Sequence, residues 1–159
     1  MTRCAVLMRS TSLTAGLALL STLAVAQTPD IDAVKDANQA FYKALSARDL
    51  KTMNGLWANK PYVVNIGPRS QSILIGYADA VTKYWTVSFD MFSQISVSSS
   101  VAQVHSDGKT AWVIGTETAS LQPKSGGDPL KFETFVTNTF EKQGKRWLMT
   151  SHHAQAITK

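Results

Sequence analysis

LKFETFVTNTFEKQGKRWLMTSHHAQAI, residues 130 to 157, carries most of the topology. Successive side chains of an extended chain point to opposite faces. Here Phe132, Thr134, Val136, Asn138 and Phe140 share one phase, while Glu133, Phe135, Thr137, Thr139 and Glu141 share the other. The first set reads as a buried face, with Asn138 its polar exception. QGKR (143 to 146) makes a turn, and WLMTSHHAQAI returns as a final strand. A pair of long strands with one apolar face requires a second layer to cover that face.

Upstream lie further strands of the same kind. SQISVSSSVAQVH (93 to 105) alternates Ile95, Val97 and Val101 with serines, and Asp107-Gly108 is a hairpin signal. TAWVIGTETASLQ (110 to 122) follows as a long strand, separated from residue 130 by the loop PKSGGDP. The covering layer comes earlier still. From Asp30, a candidate N-cap, Ile31, Val34, Ala37, Phe41, Ala44 and Leu45 recur at helical spacing. Asp49 caps a shorter helix in which Leu50, Met53, Leu56 and Trp57 share a face. YVVNI (62 to 66) and SILI (72 to 75) form a short hairpin around Gly67-Pro68, and Gly76 opens a third helical segment through Trp85. The expected fold is α+β: a cone-shaped, curved antiparallel sheet of five to six strands packed against three N-terminal helices, with a hollow on its concave side.

The chain has 159 residues, 44% of them hydrophobic and 17% charged, enough for one domain with a real core. Arg3 and Arg9 flank the start, Leu13 to Val25 is an apolar run, and Ala24-Val25-Ala26 supplies a small-x-small cleavage site. Residues 1–26 therefore read as a signal peptide, 27–30 as a linker and 31–158 as the domain, which makes the protein periplasmic or secreted, with no membrane attachment after cleavage. The one cysteine, Cys4, lies in the leader, so thiol chemistry and disulfides are excluded from the remainder. The leader holds two of the 16 basic residues and none of the 11 acidic ones, which leaves a mild positive balance without a basic stripe. Nucleic acid is not an expected partner.

The element order, together with FYKALSARDLKTMNGLWANKPYVVNIGP (41 to 68), the Gly76 to Trp85 segment and GKRWLMTSHHA, resembles the SnoaL-like branch of the nuclear transport factor 2-like superfamily. That resemblance covers residues 31 to 157 and implies the fold above. Superfamily functions range from isomerases, dehydratases and polyketide cyclases to non-catalytic association domains, commonly dimerised through the sheet, so the likeness does not select one. Ketosteroid isomerase chemistry is disfavoured. Where that enzyme carries a catalytic aspartate and a helix tyrosine, the resemblance places Asn65, whose amide cannot accept a proton at neutral pH, and Phe41, whose ring cannot donate a hydrogen bond. Tyr42 is adjacent to Phe41, but one helical position turns a side chain by about 100°.

His152 and His153 cannot share one ion or exchange a proton, because neighbours on a strand face apart. Trp147, Met149, Ser151, His153 and Gln155 share a phase that includes the two bulkiest apolar residues, so His153 is the histidine expected to face inward, paired with Asn138 on the neighbouring strand. It reads as a core histidine, a ligand contact or a general acid/base. Glu117 is the strand carboxylate that could orient His153 or act as a base, although the phase of residues 111–121 is ambiguous and an outward, solvated Glu117 is the simpler expectation. Trp57, Tyr77, Trp85 and Trp112 are either aromatic pocket walls or core. His105 is expected at the surface. No HExxH, GxSxG, GxGxxG or phosphate-loop pattern occurs, and neither a metal nor a cofactor is expected.

The primary expectation is a cavity binding a small, largely apolar or weakly anionic molecule, with polar contacts from Asn65, Asn138 and His153 and walls from Trp57, Trp85 and Trp112. Two alternatives stand beside it. One is a hydrolase, dehydratase or cyclase using His153 with Glu117. The other is a non-catalytic scaffold that dimerises through an outer sheet face carrying Val113, Phe135 and Leu148.

Overall fold

The computed structural model describes residues 27–158; the leader expected over 1–26 lies outside them. Helix α1 (Gln27–Ala47) already includes residues 27–30, read above as a linker. Its buried residues, Val34, Asn38, Phe41, Tyr42 and Ala44, repeat at the helical period and form a wide stripe against the sheet. Arg48 adopts φ 51° and turns the chain, and Asp49 accepts the amide of Thr52 at 3.0 Å to start α2 (Leu50–Gly55). Strands β1 (Val64–Ile66) and β2 (Leu74–Ile75) pair as the short hairpin. A π-helical turn, Ala78–Lys83, then runs into α3 (Tyr84–Met91), so the third helical segment extends past Trp85.

Four long strands follow: β3 (Phe92–Ser106), β4 (Thr110–Pro123), β5 (Leu130–Gln143) and β6 (Arg146–Ala156). With β1 and β2 they form one curved six-stranded sheet in the order β2-β1-β6-β5-β4-β3. The sheet is mixed rather than wholly antiparallel, because β1 lies parallel to β6, with Asn65 opposite His152. Phe41 sits at the centre of the core, edge-on to Trp57 and Trp85.

The strand register is interrupted at three places, at Ser93, Ala102 and Thr150. At Gly115 a Cβ would lie 2.1 Å from the Ser100 carbonyl oxygen, so only glycine permits β3 and β4 to approach there, next to the bulge at Ala102. In β6 the register jumps from Ser151 opposite Thr139 to Met149 opposite Phe140, leaving Thr150 as an extra residue. A bulge inverts the alternation beyond it. Trp147 and Met149 therefore face the core, and so do His152 and Ala154, all of them buried.

Candidate functional site

A cavity of about 860 Å³ opens between α3, the turn after β1 and the inner faces of β3 to β5. Its walls are mostly apolar, including Trp85, Ile95, Val97, Leu121 and Phe132. Two ionisable side chains reach its deep end, Glu117 (5% exposed) and His152 (4% exposed). At the mouth stand the exposed Arg69, Asp90 and Lys124.

The hydrogen-bond polarity of the deep end follows from Glu117. Each carboxylate oxygen accepts a hydroxyl proton, Oε1 from Tyr42 Oη at 2.7 Å and Oε2 from Thr134 Oγ1 at 2.8 Å. With its own proton given to Glu117, Tyr42 Oη can only accept in its remaining contact, which is with Asn138 Nδ2 at 3.2 Å. Asn138 Nδ2 also donates to Asn38 Oδ1 at 2.8 Å, so Asn138 must turn Oδ1 toward His152 Nδ1, 2.8 Å away. A carbonyl oxygen only accepts, which makes His152 Nδ1 the protonated nitrogen and leaves Nε2 with a bare lone pair. A single carboxylate thus sets the tautomer of a histidine two residues removed from it through hydrogen bonds.

Burial holds the His152 pKa below its ordinary 6.5; the Glu117 charge pulls the other way, and His153 adds to the depression. Burial and the Glu117 carboxylate push the Tyr42 phenol far above its usual range, so it stays a donor. A depressed histidine pKa means that the unfolded chain takes up a proton more readily than the folded one. The stability it confers is therefore complete above about pH 6.5 and is lost as pH falls through 6.5 toward the folded-state value. In urea titrations at successive pH values, the wild type should lose up to about 1.4 kcal/mol per pH unit more than His152→Gln across that window. Parallel curves would mean that His152 is not held neutral.

Several expected site residues sit elsewhere. His153 is exposed on the outer face, because the Thr150 bulge inverts the phase on which its inward assignment rested; His152 takes its place and makes the expected pairing with Asn138. Glu117 faces inward, contrary to the simpler expectation. The inward phase of β4 contains Ala111, Val113, Gly115 and Ala119 beside Glu117, whereas the bulkier Trp112 and Ile114 point outward. Trp112 stacks on His105 with 5.5 Å between ring centroids, on the outer side of the sheet.

Asn65 is fully buried and donates to the Ala80 carbonyl at 2.9 Å, clamping the π-helical turn that aims Tyr84 and Trp85, and it does not line the cavity. Trp57 packs in the core against Phe41. Of the side chains singled out from sequence, Trp85 and Glu117 line the cavity and Asn138 supports it from behind, while Tyr77 lies outside the cavity and donates to the Asn54 carbonyl at 2.8 Å.

Asn38, Tyr42 and Thr134 complete the network and were missed. Their signal was available: Asn38 and Tyr42 are one turn apart on the apolar stripe of α1, and Thr134 shares the inward phase of Asn138. Tyr42 was set aside because it is turned by about 100° from Phe41, yet the stripe is wide enough to bury both.

A curled sheet closed by an N-terminal helix layer around a side-chain-lined hollow defines an α+β cone of the nuclear transport factor 2-like type. The chain belongs to the SnoaL-like domain family, which it matches over residues 34–157. A candidate dehydratase of the NTF2-like family from Streptomyces avermitilis superposes with a TM-score of 0.71 at 24% identity, covering 82% of this chain and 98% of its own. A candidate calcium/calmodulin-dependent protein kinase type II association domain from Thiobacillus denitrificans gives 0.63 at 26% identity, covering 78% and 94%. An NTF2-like superfamily protein from Salmonella enterica serovar Typhimurium gives 0.74 at 13% identity, covering 83% and 94%. No curated protein matches the chain by sequence.

Proposed function

We propose that this protein is an exported SnoaL-like domain whose cavity binds a small, largely apolar molecule, oriented at its polar end by His152 Nε2 and the Glu117 carboxylate. The supporting observation is the placement of these two acceptors at the bottom of an otherwise apolar cavity of drug-like size. Export rests on the leader pattern of residues 1–26 and would be tested by N-terminal sequencing of the protein recovered outside the cytoplasm, with Gln27 the expected first residue.

For the cavity itself, anilinonaphthalene sulfonate fluorescence gives a direct reading. Val97→Trp, which fills the wall, should weaken dye uptake at least tenfold without lowering the melting temperature. Equal uptake by both proteins would place the dye, and the proposed site, elsewhere.

A second reading is favoured by the neutral state of His152: a base with a bare nitrogen, linked through Asn138 and Tyr42 to a carboxylate whose charge favours the imidazolium it becomes, suits removal of a proton α to a carbonyl. Loss of water from β-hydroxycarbonyl compounds, in which the Cα proton taken up by His152 Nε2 passes to the departing β-hydroxyl as the Cα–Cβ double bond forms, would be detected by the absorbance of the enone, and His152→Gln should reduce such turnover by about 10² or more. Undiminished turnover in that variant would remove His152 from the chemistry.

We further propose that two copies associate through the outer sheet face. Phe135 (58% exposed) and Ile114 (41% exposed) present apolar surface there. Of the other residues expected on that face, Val113 is buried on the inner side and Leu148 is only 8% exposed, so neither is available to a partner. Light scattering should give a dimer for the wild type and a monomer for Phe135→Glu; an intact Phe135→Glu dimer would exclude this face.

A further inference from the structure

The cavity is polar in opposite senses at its two ends. Its deep end offers acceptors: the Nδ1 proton of His152 is committed to Asn138, and the Tyr42 and Thr134 protons are committed to Glu117. A ligand group that meets His152 Nε2 or Glu117 must bring its own proton, and an anion is repelled by the carboxylate. The mouth has the reverse character. Lys124 is neutralised by Asp90 at 2.6 Å, whereas Arg69, on the turn after β1, forms no ion pair or hydrogen bond among the described residues. A guanidinium at the rim of an apolar cavity, without an acidic partner, has its donor fork available to a carboxylate or a similar oxyanion. Between the two ends the lining is mostly aliphatic and aromatic, with Tyr84 and Ser88 contributing hydroxyls.

Building on the ligand-binding role above, we infer that the ligand is a hydroxylated apolar acid: a hydroxyl donating to His152 Nε2 or Glu117 at the deep end, an apolar body against Trp85, Val97 and Phe132, and an anionic group at Arg69. This ordering rejects the inverted pose, because an anion at the bottom would face Glu117 and a hydroxyl at the mouth would leave His152 Nε2 without a donor.

Isothermal titration with para-hydroxycinnamate and with hydroxybiphenylcarboxylate, hydroxyl and carboxylate at opposite ends, samples two lengths. Whichever acid binds should do so about tenfold more tightly than its methyl ester and its O-methyl ether. Arg69→Gln should reduce the affinity for the acid to that for the ester while leaving the ester unchanged, and added salt should weaken only the acid. Equal binding of acid and ester by the wild type, a parallel loss of both in Arg69→Gln, or tolerance of the capped hydroxyl would overturn the assignment. If neither acid binds while neutral biphenyl does, the polar ordering is wrong and the cavity reading stands. If biphenyl also fails, the cavity reading falls with it.

Discussion

Gly115→Ala should destabilise the fold by about 3 kcal/mol, at the upper end of what overpacking costs. The added methyl has to occupy space 2.1 Å from a backbone carbonyl oxygen, that of Ser100, which is held in the β3–β4 ladder and cannot rotate away as a side chain would. Relief requires the two strands to separate at the point where the sheet bends. Urea unfolding measures the effect, and Gly55→Ala is the natural control, since nothing lies within 4 Å of the position its Cβ would take. That variant should be neutral or slightly stabilising. A Gly115→Ala protein as stable as the control would mean that the bend is not imposed by close backbone approach.

The second large effect concerns Asn138, which donates to Asn38 and Tyr42 and accepts from His152 in a fully buried setting. Asn138→Leu keeps the volume and removes all three partners at once. Each buried polar group left without a partner costs about 1–3 kcal/mol, so a loss of about 3 kcal/mol or more is expected even if some of them find one another. Asn138→Asp gives a sharper diagnostic. A carboxylate against His152 Nδ1 favours the imidazolium and should raise the histidine pKa above its ordinary value. The stability that His152 then confers is present below about pH 6.5 and disappears as pH rises through the folded-state value, the opposite of the wild-type trend. Imidazole nitrogen chemical shifts would report both the wild-type tautomer, protonated on Nδ1, and its change. A wild-type His152 protonated on Nε2 would contradict the polarity derived from Glu117.

The architecture was readable because period-two and helical periodicities are strong over long elements. The four long strands, the Asp49 cap and the inward phase of β5 all follow from burial patterns that nothing nearby disturbs. The site was harder to read at two places where local geometry overrides alternation. In β6 one inserted residue inverts the phase, and a bulge at Thr150 has no composition signal among WLMTSHH. In β4 the sign of the hydrophobic pattern misleads, because the inward phase carries Ala111, Gly115, Glu117 and Ala119 while Trp112 and Ile114 lie outside, and at Gly115 the β3 backbone leaves room for no side chain. Asn65 illustrates a third difficulty: a polar exception on a buried strand can serve a backbone carbonyl, here that of Ala80, as readily as a ligand. The π-helical turn that supplies this carbonyl has no simple sequence signature either.

The twin histidines acquire a meaning from the inserted residue in β6. Because His152 and His153 are consecutive, shifting the strand end by one position exchanges one imidazole for an identical one opposite Asn138. The geometry is thus protected against the commonest slip a strand can make.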